Sequence, residues 1–256
     1  MRKMENETLT KGLELLFLLS RYQTPLMVSE MAQILKVPAS TLYRIVRTLN
    51  NYGLVERIDS AGHYKLGYRN LVLARGVEEQ DLLIKFALPE MKTLADIAEE
   101  TVLLTTVMHN KSICIERVES NTPIKLTSEK GRIMPLYAGA SGKILLAFLP
   151  AKERHRLIYL TPLKPLTPKT ITEPKKLEEN LENIRKNGYA YSNSEMNVGV
   201  VAVAAPIFDD RKKIIGGLTI AGPEQRMGEK RLPLLITMVK NSADRISSLI
   251  ISNLKV

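Results

Sequence analysis

The chain has 256 residues, enough for two domains that each bury a core, and its 45% apolar and 25% charged content is that of an ordinary globular protein. No stretch approaches the roughly 18 apolar residues of a membrane span, since the greasiest run, Leu13 to Leu19, is short and broken by Glu14. The first residues lack the apolar core of a signal peptide, so a cytoplasmic location is expected, and the single cysteine, Cys114, excludes an intramolecular disulfide. The net charge of +10 suits a polyanionic partner, yet residues 1–69 hold ten Lys/Arg against six Asp/Glu, an excess of only four. Basicity at that level also describes many solvated surfaces, so the pattern of residues has to decide.

Residues 8–20 carry apolar side chains at helical spacing. After a break at Arg21 to Leu26, a second helix is expected from about Val28 to Leu35 with Ser29 as its N-cap, and Lys36-Val37-Pro38 reads as a tight turn. A third helix runs from about Ala39 to Tyr52 and stops at Gly53. Leu54 to Ile58 and His63 to Leu66 alternate like strands around the turn Asp59-Ser60-Ala61-Gly62. Helix, short helix, turn, helix and hairpin make a winged helix-turn-helix. In the third helix Leu42, Ile45, Val46 and Leu49 form a core stripe, and Ser40, Thr41, Tyr43, Arg44 and Arg47 fall on the other side. A solvated helix of a small domain would show the same split. Short polar residues at its N-terminus followed by two arginines favour a helix that enters a major groove, with Arg57, His63 and Lys65 of the hairpin as further double-stranded DNA contacts.

Residues 69–100 read as helix, with Pro89 expected to open a new one and the segment 69–87 serving as a dimerising linker. From Thr101 the period changes to two. Strands are expected at Val102 to Met108, Ile113 to Val118, Ile124 to Thr127, Tyr189 to Ser192, Val198 to Phe208 and Ile214 to Ala221. Helices are expected at Ser141 to Phe148, Ala151 to Leu160, Glu173 to Lys186 and Lys230 to Leu254. Sequential antiparallel strands with interspersed helices make the fold α+β and exclude a doubly wound nucleotide-binding sheet.

Catalytic chemistry finds no footing. Gly139-Ala-Ser-Gly142-Lys143 resembles a phosphate loop, but Tyr137 stands where its first glycine belongs and Ile144 where magnesium needs Ser or Thr. His63, His109 and His155 lie in separate elements with no metal-ligand spacing, and Cys114 in an alternating strand reads as core. Glu99-Glu100 and Glu178-Glu179 look like solvated helix charge. The expectation is a non-enzyme without metal or cofactor.

The segment Gly131-Arg-Ile-Met-Pro135-Leu-Tyr-Ala-Gly-Ala-Ser-Gly142-Lys143-Ile-Leu-Leu-Ala-Phe-Leu-Pro150 resembles the IclR family of bacterial regulators. So do Gly188-Tyr-Ala with Glu195, Gly199 through Asp209, and Gly217-Leu-Thr-Ile-Ala-Gly222-Pro223, as well as Thr41-Leu-Tyr-Arg44 and Leu49 to Gly53 in the head. The resemblance implies a winged-helix domain at 1–68, a dimerising helical linker at 69–87 and a GAF-like effector-binding domain at 88–256. It implies homodimers that can pair into tetramers and a small organic effector, an acid or an aromatic or sugar catabolite, that modulates operator binding. It implies a pocket at Gly139, Ala140, Ser141, Ser192, Glu195, Ala202, Thr219 and Ala221, with Leu126 and Met134 as the apolar side. Some relatives carry Asp, Cys and Ser where this chain has Ser192, Ala202 and Ala221, and many have Thr at Gly139. The lost hydrogen-bond partners point away from a glyoxylate-sized acid to a larger or less polar ligand. Two other readings compete: a C-terminal domain that is a ligand-free oligomerisation or protein-interaction module, and an enzyme fused to a DNA-binding head. Thermal shift with candidate ligands separates the first, and turnover of candidate acids the second.

Overall fold

A computed structural model describes residues 6–122 and 129–253, and the chain packs as two units that divide between Gln80 and Asp81. The expected strand at Ile124 to Thr127, and with it Leu126, lies outside the described residues.

In the first unit, α1 (Glu7–Leu19) opens on Asn6, whose side chain accepts from the Leu9 N–H at 3.1 Å. Helix α2 (Val28–Leu35) has the expected bounds, but Met27 and not Ser29 is its N-cap. Glu30 instead reaches back to accept from the Met27 N–H at 2.7 Å. Helix α3 (Ala39–Asn51) buries Leu42, Ile45 and Val46, and Leu42 and Val46 share a core cluster with Leu15, Met31 and Val55. The wing strands β2 (Val55–Arg57) and β3 (His63–Leu66) pair antiparallel, and β1 (Leu26–Met27) adds to the far side of β3, giving the order β1-β3-β2. Two residues are too few to show a period, which is why β1 escapes the sequence. Helix α4 (Arg69–Gln80) buries none of its side chains and exposes Leu71, Val72, Leu73 and Val77.

The second unit is a six-stranded antiparallel sheet in the order β6-β5-β4-β9-β8-β7. Its strands are β4 (Thr101–Met108), β5 (Lys111–Val118), β6 (Ile133–Pro135), β7 (Ala190–Asn193), β8 (Val200–Phe208) and β9 (Ile214–Pro223). Alternation sorts the central strands between two faces. Val102, Leu104, Val201, Val203, Leu218 and Ile220 pack under α5 (Leu82–Ala98) and α9 (Leu232–Asn253). Ala202, Ala204 and Ala221 pack under α6 (Gly139–Phe148) and α8 (Pro174–Asn187), with α7 (Ala151–Tyr159) beside them. Small side chains on that second face let α6 settle close to the sheet. Gly142 serves the same approach, because a Cβ there would sit 2.5 Å from the Pro135 carbonyl oxygen.

Pro89 does not open a helix: it stands inside α5, whose start is set by Asp81 accepting from the Leu83 and Ile84 N–H groups at 2.8 and 3.3 Å. The proline ring lies on the exposed face of the helix, where the Lys85 carbonyl that it deprives of an N–H partner costs least. Glu100, expected as solvated helix charge, is instead fully buried just after α5, gripped by two nitrogens of Arg226 at 2.7 Å and by Arg231 at 3.3 Å. Glu90 ties α5 to α9 by accepting from Ser242 at 2.7 Å and from Arg245. Burial raises the Glu90 carboxyl, but those hydrogen bonds outweigh it and hold the group below its ordinary 4.5. A carboxylate lowered by folding stabilises the protein above its unfolded value and loses that contribution as pH falls through its folded one. Glu90→Gln is therefore expected to lower stability at pH 7 and to narrow the gap to wild type as the pH drops below about 4.5. Urea midpoints measured from pH 7 to pH 3 test this; a gap independent of pH would contradict it.

Candidate effector pocket and DNA-reading surface

A pocket of about 540 Å³, counted out to its open mouth, lies between the first turn of α6 and the sheet. Ala202 and Ala221 form its floor, and Ala138 to Gly142 its roof. Arg132 and Met134 supply one wall; Ser192, Met196, Asn197 and Val200 supply the other. The lining is mostly apolar with few polar groups, as in sites that hold small organic molecules, and the interior has room for only a few water molecules.

The polar residues around the roof are already engaged. Ser192 Oγ accepts from the Ala140 N–H at 3.1 Å, and Glu195 Oε2 accepts from the Gly139 N–H at 3.1 Å, so side chains of the β7–β8 segment cap α6. Glu195 Oε1 also lies 2.5 Å from Lys143 Nζ, which in turn donates to the Tyr191 carbonyl at 3.1 Å. Lys143 is 1% exposed. Burial pushes its ammonium below the ordinary 10.5, and the Glu195 charge opposes that fall. The Gly-Lys pair that imitates a phosphate loop is thus one helix close to the sheet and one ammonium bound to a carboxylate. Ser141 and Thr219 share a hydrogen bond at 2.9 Å that joins α6 to β9.

Of the pocket residues expected from the sequence, Met134, Gly139, Ala140, Ser141, Ser192, Ala202 and Ala221 converge on this lining. Glu195 and Thr219 stand behind it, directed at α6. Leu103, Arg132, Ala138, Gly142, Met196, Asn197 and Val200 also line the pocket and are not among the residues expected from the sequence. Arg132 had one available signal, since it lies two residues before Met134 along an extended segment and so shares its side, whereas Ile133 between them is exposed. Cys114 is buried and its thiol is pushed up to about 11, chiefly by desolvation, which leaves it inert.

In the first unit Ser40, Tyr43, Arg44 and Arg47 are exposed along α3, and Thr41 is half-buried. No side chain caps the N-terminus of α3. The hairpin residues are committed to the wing itself. Arg57 donates to the Asp59 and Ser60 carbonyls at 2.9 and 2.7 Å, His63 lies 2.7 Å from Asp59, and Lys65 lies 3.6 Å from Glu56.

Comparison with known proteins agrees with this two-part geometry. Residues 8–59 match the IclR helix-turn-helix domain, and residues 75–248 match the family described as bacterial transcriptional regulator IclR C-terminal. The chain belongs to the IclR family. It is similar to the HTH-type transcriptional regulator KipR of Bacillus subtilis, 35% identical over 95% of this chain and 96% of that one. It is also similar to the regulator KdgR of Escherichia coli, 31% identical over 86% and 84% of the two chains. Among solved structures, the Thermotoga maritima IclR superposes with a TM-score of 0.78 at 31% identity, covering 96% and 99% of the chains. An IclR homolog from Microbacterium hydrocarbonoxydans, complexed with 4-hydroxybenzoate, gives 0.82 at 24% identity over 94% and 98%. The protein is an IclR-type DNA-binding transcriptional regulator with an effector-binding C-terminal domain, and not an enzyme. No helix among the described residues is long and apolar enough to cross a membrane.

Proposed function

We propose that α3 is inserted into the operator major groove with Ser40, Thr41, Tyr43 and Arg44 toward base edges and Arg47 toward phosphate. Exposure of Ser40, Tyr43, Arg44 and Arg47 supports the reading, as do two guanidiniums that have no ion-pair partner among the described residues. The uncapped N–H groups at the start of α3 suit a phosphate. Arg57, His63 and Lys65 hold the wing in shape and add charge beside the backbone. Two copies assemble through the apolar side chains that α4 leaves exposed, and such dimers can pair again. The second domain, from about residue 88, takes the effector, with the linker at 69–87 between it and the head.

The effector of this reading is an organic acid with an apolar body, bound among Met134, Gly139, Ala140, Ser141, Ser192, Ala202 and Ala221. Glu195 and Thr219 position the roof. The observation that carries it is the apolar slot under the first turn of α6; the bound 4-hydroxybenzoate of the Microbacterium protein supports an aromatic acid. The names of several relatives, among them the transcriptional repressor IclR of Escherichia coli, support repression as the mode of action. Footprinting upstream of the protein's own gene, with and without a panel of carboxylic acids, is the test. Protection of two half-sites about one helical turn apart, or a multiple of it, lost on adding one acid, is expected. Protection indifferent to every acid favours a ligand-free interaction module.

A further inference from the structure

The pocket is narrow because the chain fills part of it. Gly139, with φ of +74°, has no side chain, and Met196 occupies the space one would take: a Cβ at Gly139 would lie 2.6 Å from Met196 Cγ. Met196 sits on the segment from Ser194 to Gly199, which is drawn closed at its base. There the Ser194 N–H donates to the Val200 carbonyl at 2.7 Å and the Gly199 N–H to Ser194 Oγ at 3.0 Å. Both ends of the segment hold left-handed backbone, Ser194 at +58° and Gly199 at +78°, and its tip is exposed at Asn197 and Val198. Across the pocket stands Arg132, the one cationic side chain of the lining, which makes no hydrogen bond or ion pair among the described residues.

Resting on the effector reading above, we propose that Met196 is the specificity-determining residue of the pocket. It acts as a plug standing in for the effector's apolar body, and a ligand must displace it while its anionic group is held by Arg132. A flexible thioether suits this role, since it fills an irregular slot and leaves it at low cost. The plug is adjacent in sequence to Glu195, and both touch Gly139, one through its side-chain carbons and the other through the N–H. Moving Met196 therefore pulls on the carboxylate that caps α6 and holds Lys143. Ligand size is read as whether the body fills the space that Met196 vacates, and ligand charge is read at Arg132.

The probes are benzoate, its neutral counterpart benzyl alcohol, and xenon, which enters dry apolar cavities. In calorimetry on the full chain, Met196→Ala is expected to bind benzoate about tenfold more tightly than wild type, because no plug has to be moved first. Adding Arg132→Gln should weaken benzoate by about tenfold or more and leave benzyl alcohol unchanged. Xenon should enter Met196→Ala and not wild type, a readout independent of any effector. Equal benzoate affinity in the two proteins, binding to neither, or equal xenon uptake would overturn the proposal. That failure is separable from failure of the effector reading. Equal uptake beside an acid that still releases operator leaves the effector reading standing; the xenon and benzoate differences, with no acid acting on operator, leave only the plug standing.

Discussion

Glu195→Gln is expected to destabilise the second unit by about 3–5 kcal/mol, because it removes the carboxylate charge that answers a fully buried lysine. The wild-type pair gains from a 2.5 Å contact and from hydrogen bonds that use its remaining atoms: Lys143 to the Tyr191 carbonyl and Glu195 to the Gly139 N–H. Without the carboxylate charge, Lys143 carries its desolvation cost alone. The sign of the pH dependence follows. Burial already lowers the Lys143 ammonium, and nothing in the variant raises it again. The unfolded chain then binds more protons than the folded one over the interval below the ordinary 10.5, so the variant recovers stability as pH rises through it. Lys143→Met added to Glu195→Gln should restore much of the loss even at pH 7, since an apolar replacement removes the orphaned charge. Guanidinium unfolding followed by circular dichroism measures all three. A single variant as stable as wild type would show that the pair is idle.

The second large effect belongs to the head. Arg44→Ala together with Arg47→Ala is expected to weaken operator binding at least thirtyfold, with about 1–3 kcal/mol from a lost base contact and a further share from a lost phosphate. The two losses differ in kind. Arg44→Ala alone should relax sequence preference, whereas Arg47→Ala alone should weaken all DNA alike and reduce the salt slope by about one. Both side chains are exposed, and neither has an ion-pair partner among the described residues, so thermal stability should not move. Wild-type affinity in the folded double variant would remove α3 from the groove.

What the sequence reveals depends on whether a residue's role is set locally. The stripe Leu42, Ile45, Val46 and Leu49 shows the helical period, and three of the four are buried in α3. Asp59 to Gly62 turns the wing because Asp59 accepts from the Gly62 and His63 N–H groups. Local pattern fails at Ser29, where Glu30 takes over the capping, and at Pro89, where packing of Leu83, Ala87 and Met91 keeps one helix across the proline. In β8 and β9 both faces are covered, so their near-continuous apolar runs hide which residues face the pocket. Resemblance to the family, and not alternation, points to Ala202 and Ala221. Arg132 and Met196 escaped both routes, since one depends on which way a three-residue strand faces and the other on an exposed loop folding back onto a glycine.

In an effector-responsive regulator, one ligand-binding event in the second domain changes the affinity of the first for DNA. Such coupling is a difference in affinity for two arrangements of the protein, and it must act in both directions. The direct measurement is calorimetry of the acid that releases operator in the footprint, titrated into the full chain with and without saturating operator DNA. Effector affinity should fall by about five- to 150-fold when operator is bound, the range of typical coupling energies, and by the same factor that the effector weakens DNA binding. Equal effector affinity in the two titrations would contradict the account.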